Sequence, residues 1–177
     1  MTEKTSVGIG LINPKSPSNV GAIMRAAGCF GANYVLYTGQ RYSKAAKFHT
    51  DTKQASQHIP LSGVDDLATA VSAGVKIVCV DLIEGAVALP DFTHPEHALY
   101  VFGPEDGTIN QSIIDAADAA VYIPTKGCLN LAATVNVVLY DRQAKNLTSL
   151  SANGDELIRA SRDVNNRVAF KSQGANR

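Results

Sequence analysis

Three segments of the 177-residue chain place polar side chains where they can act on a ligand, and the first is SNVGAIMRAAGCFG at 18–31. Its small and apolar residues predict a packed helix, capped by Ser18 or Asn19, with Arg25 in its middle. A guanidinium is almost never buried without a partner, so Arg25 is either a structural ion-pair residue or a contact to a bound anion. Asn19 lies six residues before Arg25. The two are therefore not stacked on one helical face, yet both can converge on one bound group.

The other two segments each follow a predicted strand. In VFGPEDGTI, 101–109, Gly103 lets a ligand approach the backbone and Glu105 supplies a carboxylate. The same residues are also typical of an acidic surface turn. In YIPTKGCLNLAATVNVVLYD, 122–141, Asn130 begins a helix, where it either caps the first turn or contacts a ligand. Neither segment has the glycine spacing of a dinucleotide-binding or Walker loop, which argues against a dinucleotide-dependent oxidoreductase.

The elements that must position these segments alternate between strands and helices. The apolar runs are nearly continuous, which is typical of strands buried on both faces of a parallel sheet. The chain therefore predicts an α/β fold, a parallel sheet covered by helices on both faces, with its ligand crevice beyond the carboxyl ends of the strands. The predicted strands are 6–12, 34–38, 75–82, 98–103 and 119–124, and the predicted helices are 19–30, 64–73, 110–117 and 130 to about 147.

Length and composition favour one globular domain. The chain is 45% hydrophobic and 18% charged, and it contains no apolar run of membrane length. We expect a single domain over 1–150, with 151–177 adding a C-terminal helix and a basic tail to the same domain. The polar stretch 39–60 interrupts the alternation and is expected to be an irregular functional loop. The first residues lack the features of a signal peptide, so we expect a cytoplasmic protein without membrane contact.

Charge and metal-ligating residues give little further guidance. The formal net charge is zero, so only local patches, at 41–53 and 159–177, offer cations to a nucleic acid. His94 and His97 flank a Pro-Glu pair in a predicted loop, and His49 and His58 lie in the polar stretch. We expect solvated histidines and no metal site. The cysteines are too few and too far apart for a disulfide framework or a closed zinc site: Cys29, Cys79 and Cys128.

In their order and content, the three segments together resemble the three motifs of the SPOUT superfamily of RNA methyltransferases, specifically its TrmH (SpoU) family. The resemblance covers about residues 6–142. It implies a parallel α/β core with a C-terminal deep trefoil knot, a rare exception to ordinary connection rules. Members of the family bind S-adenosylmethionine in the knotted loops, act as homodimers, and usually methylate a ribose 2′-hydroxyl of tRNA or rRNA. The small size of this chain favours tRNA over rRNA.

The resemblance also implies roles for individual residues. Arg25 is expected to clamp a phosphate and stabilise the developing alkoxide, because a guanidinium stays protonated and is a poor base. Relatives commonly carry Ser where Cys128 stands, so only backbone contacts are expected there. The alternative is a non-catalytic RNA-binding relative that keeps the pocket. The implied catalytic set is Asn19, Arg25, Glu105 and Asn130, and the implied cofactor contacts are Val80, Asp81, Leu82, Gly103, Ile123, Cys128, Leu129 and Asn130.

Overall fold

A parallel sheet forms the centre of this computed structural model, which describes residues 6–46, 59–146, 154–162 and 168. Within those residues the sheet has seven strands in the order β3-β2-β1-β6-β4-β7-β5, and the predicted parallel α/β fold is confirmed. The short strands β3 and β5 were not predicted. The strands are β1 (Val7–Leu11), β2 (Tyr34–Tyr37), β3 (Leu61–Gly63), β4 (Lys76–Val80), β5 (Val87–Ala88), β6 (Ala98–Phe102) and β7 (Ala119–Tyr122).

The register of the central strands brings their carboxyl ends to one line. Leu11 of β1 pairs with Phe102 of β6, Phe102 pairs with Val80 of β4, and Val80 pairs with Val121 of β7. Because all these pairs are parallel, the segments that follow the four strands must emerge side by side at one edge of the sheet.

Helices cover one face of the sheet, and a helix with an irregular segment covers the other. Buried residues of α1 and α4 pack with Ile9, Val78 and Tyr100 on the first face. On the second face, α3 and the irregular segment 64–75 pack with Cys79 and Val101. The helices are α1 (Pro17–Cys29), α2 (Arg41–Ala46), α3 (Gln111–Asp115), α4 (Leu131–Lys145) and α5 (Gly154–Ser161).

Two local predictions were wrong. The predicted helix at 64–73 is a series of turns, in which the Asp66 carboxylate accepts the Ala68 backbone N–H at 2.8 Å. This side-chain bond offers the backbone an alternative to a helical hydrogen bond, while fully buried Leu67 anchors the segment. The cap of α1 is Ser16 rather than Ser18 or Asn19, because Pro17 occupies the first helical turn, where its missing N–H costs nothing.

The polar stretch 39–60 is partly regular, because it contains α2 and leads into β3. Residues 47–58, which include His49, His58 and two of the four cations of the first basic patch, lie outside the described residues. The chain divides into two units, Met1–Ala144 and Lys145–Arg177. The second unit contains α5, in which Arg159 lies 3.8 Å from Asp155, and most of the basic tail lies outside the described residues. Among the described residues, no helix combines the length and apolar character needed to cross a membrane.

The prediction that His94 is solvated was also wrong. Its side chain is only 1% exposed, and it bridges the Tyr100 hydroxyl at 2.6 Å and the Asp141 carboxylate at 2.8 Å. Arg142, 8% exposed, donates to the same hydroxyl at 3.0 Å and to the carbonyls of Pro95 and Glu96. This cluster ties the segment before β6 to the end of α4. The loop position of His94 suggested an exposed side chain, but the side chain is part of the packed interior.

Candidate functional site

A cavity of about 360 Å³ lies at the sheet edge where β6, β4 and β7 end. Its walls come from the segments that follow these three strands, together with the start of α1 and the first turn of α4. All eight residues predicted for cofactor contact line it, and so do three of the four predicted catalytic residues, Asn19, Glu105 and Asn130. The lining residues are Asn19, Val80, Asp81, Leu82, Phe102, Gly103, Pro104, Glu105, Gly107, Ile123, Thr125, Gly127, Cys128, Leu129, Asn130, Leu131 and Thr134.

Asp81 joins two walls of the cavity. One oxygen of its carboxylate accepts the Leu82 backbone N–H at 2.8 Å, and the other accepts that of Ile109 at 3.2 Å. A methyl group at Gly103 would lie 3.0 Å from Asp81 Oδ2 and 3.4 Å from the Ile109 nitrogen, so a side chain there would crowd this link. Asp81 therefore holds the loop after β6 against the end of β4, and its oxygens are committed to the protein.

Glu105 connects the loop after β6 to the start of α1. Its carboxylate accepts the backbone N–H groups of Lys15 at 2.8 Å and Ser16 at 3.1 Å, and the side-chain amide of Asn19 at 3.2 Å. Burial raises the pKa of Glu105, but hydrogen bonds from Lys15, from its own backbone, from Ser16 and from Asn19 outweigh burial and lower the pKa overall. A carboxylate with three donors and a lowered pKa is a positioning group and a poor base.

Asp106 makes a second link from the same loop. The Arg41 guanidinium donates to both of its oxygens, at 2.8 and 2.9 Å, and Lys15 lies 3.9 Å away. The hydrogen bond that Arg41 donates to Asp106 lowers the pKa of Asp106, and the same bond raises the pKa of Arg41. Arg41, the first residue of α2, is thus fixed to the loop after β6 by a bidentate ion pair.

Asn130 caps α4 and keeps its donor side free. Its Oδ1 accepts the Ala133 backbone N–H at 2.7 Å, and its carbonyl accepts the Thr134 hydroxyl at 2.9 Å. Among the described residues, its Nδ2 has no partner. The two explanations that the sequence left open are therefore compatible, because the oxygen caps the helix while the amide N–H groups stay available as donors to a molecule in the cavity that Asn130 lines.

Arg25 is the predicted site residue that the fold does not bring to the cavity of its own chain. It is exposed on α1, and within the described part of the chain it has no hydrogen bond or ion pair. The other exposed positions on the same side of the helix are Ser18, Ala22 and Cys29. An arginine in a helix that otherwise packs inward is thus explained by amphipathicity, and no buried ion pair is involved.

The thiols differ sharply in environment. Cys128 lines the cavity and is exposed, and Cys29 is exposed on α1. Cys79 is buried in β4, where burial and, to a lesser extent, Asp81 raise its pKa to about 11. Only Cys128 offers an accessible sulfur to a molecule in the cavity.

Sequence reasoning missed several cavity residues. Of these, Thr134 could most readily have been predicted. It lies four residues after Asn130, so both share one face of α4. Thr125 and Gly127 carried no comparable signal, because their places depend on the path of a loop without regular structure.

The cavity combines an apolar wall with a few fixed polar groups. Val80, Phe102, Ile123 and Leu131 supply apolar surface, and the Asn130 amide and the Asn19 carbonyl oxygen supply one donor and one acceptor group. A cavity of this size and lining suits a small organic molecule that has a flat apolar part and polar substituents.

Comparison with known proteins agrees with these features. The model of the SpoU rRNA methylase family matches residues 6–140, which include every cavity residue. The 23S rRNA (guanosine-2′-O-)-methyltransferase RlmB of Nitrosomonas europaea is 28% identical over 135 residues, covering 72% of this chain and 52% of that protein. The chain spans about half the length of the curated relatives it matches.

Two solved structures have the same fold. The SpoU methyltransferase AviRb from Streptomyces viridochromogenes, in complex with AdoMet, has a TM-score of 0.66 and 22% identity, covering 84% of this chain and 60% of that one. A structure described for the 2-OH methylation of C/U34 on tRNA has a TM-score of 0.69 and 21% identity, covering 82% of this chain and 94% of that one. The family match, the order of the three motifs and their convergence on one cavity together show that this chain belongs to the SpoU rRNA methylase family.

Proposed function

We propose that this protein transfers a methyl group from S-adenosylmethionine to a ribose 2′-hydroxyl of RNA. The observation that carries the proposal is the convergence of the three motif segments on one cavity at the carboxyl edge of the sheet. Family membership supports the same reaction class, as do the activities of RlmB and of the tRNA-modifying protein of similar fold.

The cavity residues fit this cofactor. Apolar side chains at Leu82, Ile123 and Leu129 suit a purine ring, and the open backbone at Gly127 leaves room, because no atom lies within 4 Å of a methyl group built there. The cofactor, when bound, supplies a methyl group on a positively charged sulfur. The Asn130 Nδ2 would donate to one of its polar groups, while Asp81 and Glu105 hold the loop that encloses it.

The polar residues are suited to positioning. Displacement at a methyl carbon requires the attacking oxygen to be held in line at near-attack distance. Asn19, whose amide N–H is committed to Glu105, presents its carbonyl oxygen as an acceptor for the ribose hydroxyl. Neither asparagine is a base, and Glu105 is saturated with donors, so these three residues orient the reactants and do not remove the proton.

Arg25 would act on the cavity of a second copy of the chain. It is exposed and does not line its own cavity. Its helix shows an exposed stripe of Ser18, Ala22, Arg25 and Cys29, whose small members permit close approach of another helix. A symmetric dimer built on this stripe would give each cavity an arginine from the partner, which would stabilise the charge developing on the ribose oxygen.

The RNA would bind mainly through phosphate contacts. Within the described residues Lys44 is an exposed cation on α2, and Arg41 is held by Asp106. We expect a tRNA substrate, because the tRNA-modifying protein of similar fold is matched over 94% of its length, whereas RlmB is roughly twice as long as the matched region. We also expect the protein to act in the cytoplasm.

Calorimetry with S-adenosylmethionine and tritium transfer to separate tRNA and rRNA pools test the reaction. We expect cofactor binding and transfer to tRNA, with Arg25→Ala lowering turnover by about 100-fold or more while cofactor affinity is unchanged. Cofactor binding without transfer to either pool would instead support the non-catalytic RNA-binding relative.

Co-expression of two differently tagged inactive copies tests the dimer. If Arg25 acts across the interface, a purified heterodimer of Arg25→Ala and Asn130→Ala chains has one intact site and one doubly defective site. We expect about half of the wild-type activity from it, against almost none from either homodimer. An inactive heterodimer would show that Arg25 and Asn130 must lie on the same chain.

A further inference from the structure

A second cleft opens on the same edge of the sheet as the cofactor cavity. It has a volume of about 380 Å³ and lies at the carboxyl ends of β2 and β3, which end at Tyr37 and Gly63. Only β1 separates β2 from β6 in the sheet. At about 4.8 Å per strand, the cleft lies roughly 10–15 Å from the loop after β6, within reach of one RNA strand crossing both sites.

Three polar side chains in this cleft have no partner among the described residues. They are the Tyr37 hydroxyl, the Gln40 amide and the Asp65 carboxylate. Of the three, Tyr37 is held in place by the protein. Tyr37 packs edge-on against the ring of Tyr42 with the ring centroids 5.1 Å apart, and the Tyr37 carbonyl accepts the Val64 backbone N–H at 2.9 Å.

The charge around the cleft favours a nucleobase over a phosphate. Of the residues that the structure describes, no lysine or arginine lines it, and the one charged group that does is the Asp65 carboxylate, which repels phosphate. The cations nearest in sequence are Arg41 and Lys44 on α2. A strand of RNA whose phosphates follow the α2 side would therefore turn a base toward Tyr37, Gln40 and Asp65.

We propose that this cleft binds an unstacked nucleobase with an exocyclic amino group, on a nucleotide close to the one that is methylated. The proposal rests on the RNA substrate proposed above. Single-stranded RNA is read by aromatic side chains that contact the base and by polar groups at its edge. An ionised carboxylate only accepts hydrogen bonds, so Asp65 suits the amino group of cytosine. Uracil has a carbonyl at the same position, which faces the carboxylate unfavourably.

Competition binding with short oligocytidylate and oligouridylate of equal length, at fixed salt, tests the proposal. The bases of these probes differ at position 4, an amino group in cytosine and a carbonyl in uracil, and at N3, an acceptor in cytosine and a donor in uracil. We expect wild type to bind oligocytidylate about five- to tenfold more tightly. Asp65→Asn should reduce this ratio to below about twofold, because the amide both donates and accepts.

Asp66→Asn is the matched control. Asp66 lies next to Asp65 but does not line the cleft, and an asparagine there keeps the bond to the Ala68 N–H. Both variants lose one negative charge and should bind all RNA slightly more tightly. Only Asp65→Asn should change the cytidylate-to-uridylate ratio.

The outcomes separate this proposal from the reaction proposed above. Equal wild-type affinity for the two probes, or the same ratio in both variants, would overturn the cleft assignment and leave the methyl-transfer proposal untouched. A ratio that behaves as expected would support the cleft even if no methyl transfer were found. Failure to bind either probe would overturn both the cleft and the RNA-binding proposal.

Discussion

The Asn19 side-chain amide donates to the Glu105 carboxylate across 3.2 Å, although the two residues are 86 positions apart in the chain. Two backbone N–H groups of the turn before α1 bind the same carboxylate. The first and second motif segments are therefore one structural unit, in which Glu105 fixes the position of the Asn19 carbonyl oxygen at the cavity.

Replacing Glu105 by glutamine should destabilise the protein in a pH-dependent way. At pH 7 we expect a loss on the order of 1–2 kcal/mol, because an amide cannot accept all three hydrogen bonds. The pKa of Glu105 is lowered in the folded state, so its stabilising contribution is complete above its ordinary pKa and is lost as the pH falls through the folded pKa. Urea unfolding should therefore show the difference from wild type constant above about pH 6 and shrinking below about pH 4.5.

Glu84→Gln is the control for this experiment, because Glu84 is exposed and makes no hydrogen bond within the described residues. It should leave stability within about 0.5 kcal/mol of wild type at every pH. If Glu105→Gln behaved in the same way, Glu105 would not be holding the two segments together.

Gly103→Ala should weaken the loop that encloses the cavity. The new methyl group would lie 3.0 Å from Asp81 Oδ2 and 3.4 Å from the Ile109 nitrogen, crowding both partners of a 3.2 Å hydrogen bond. We expect a loss of about 1–2 kcal/mol in stability and several-fold weaker cofactor binding by calorimetry. Gly21→Ala, in α1 with no atom within 4 Å of the added methyl group, should instead stabilise the helix by up to about 1 kcal/mol.

Cys128 should be protected from alkylation by the cofactor. It is exposed and lines the cavity, whereas Cys29 is exposed outside it. With saturating S-adenosylmethionine we expect iodoacetamide to modify Cys128 at least about tenfold more slowly, as followed by peptide mass spectrometry. Burial raises the pKa of Cys79 to about 11, so its thiol should stay unmodified in the folded protein with or without cofactor. Unchanged Cys128 reactivity would argue that the cofactor binds elsewhere.

Tyr100→Phe should destabilise the interior without touching the cavity. The fully buried Tyr100 hydroxyl accepts from Arg142 at 3.0 Å and contacts His94 Nδ1 at 2.6 Å. Because Arg142 has only donors, the phenolic proton goes to Nδ1, and His94 donates from Nε2 to Asp141. Removing the hydroxyl takes one hydrogen bond from His94 Nδ1 and one from Arg142, which keeps its bonds to the carbonyls of Pro95 and Glu96. We expect a loss of about 1–3 kcal/mol in urea unfolding.

The matched control is Tyr122→Phe, because Tyr122 ends β7 and its hydroxyl has no partner among the described residues. Its effect should stay below about 0.5 kcal/mol. Equal effects of the two substitutions would mean that the hydroxyl of Tyr100 contributes nothing beyond its ring.

The sheet and the location of the site follow from patterns local in the chain. Continuous apolar runs such as 98–102 indicated buried parallel strands, and polar residues just after them, such as Glu105 and Asn130, had to meet at one edge. The helix predicted at 64–73 failed because Asp66 accepts a backbone N–H locally, a competition that apolar spacing does not reveal.

The apolar periodicity of the sequence determined that the strands are parallel. Its motif order determined the family and, through that resemblance, many of the residues that line the cavity. Only the tertiary structure decided what each polar side chain binds. Glu105 is occupied by the turn before α1, Asp81 by the neighbouring loop, and buried His94 by Tyr100 and Asp141. The first motif segment, 18–31, suggested that Arg25 and Asn19 belong to one site, but Arg25 faces outward on α1. These outcomes depend on contacts between residues far apart in the chain, whose geometry is fixed only when strand register and helix packing are fixed together.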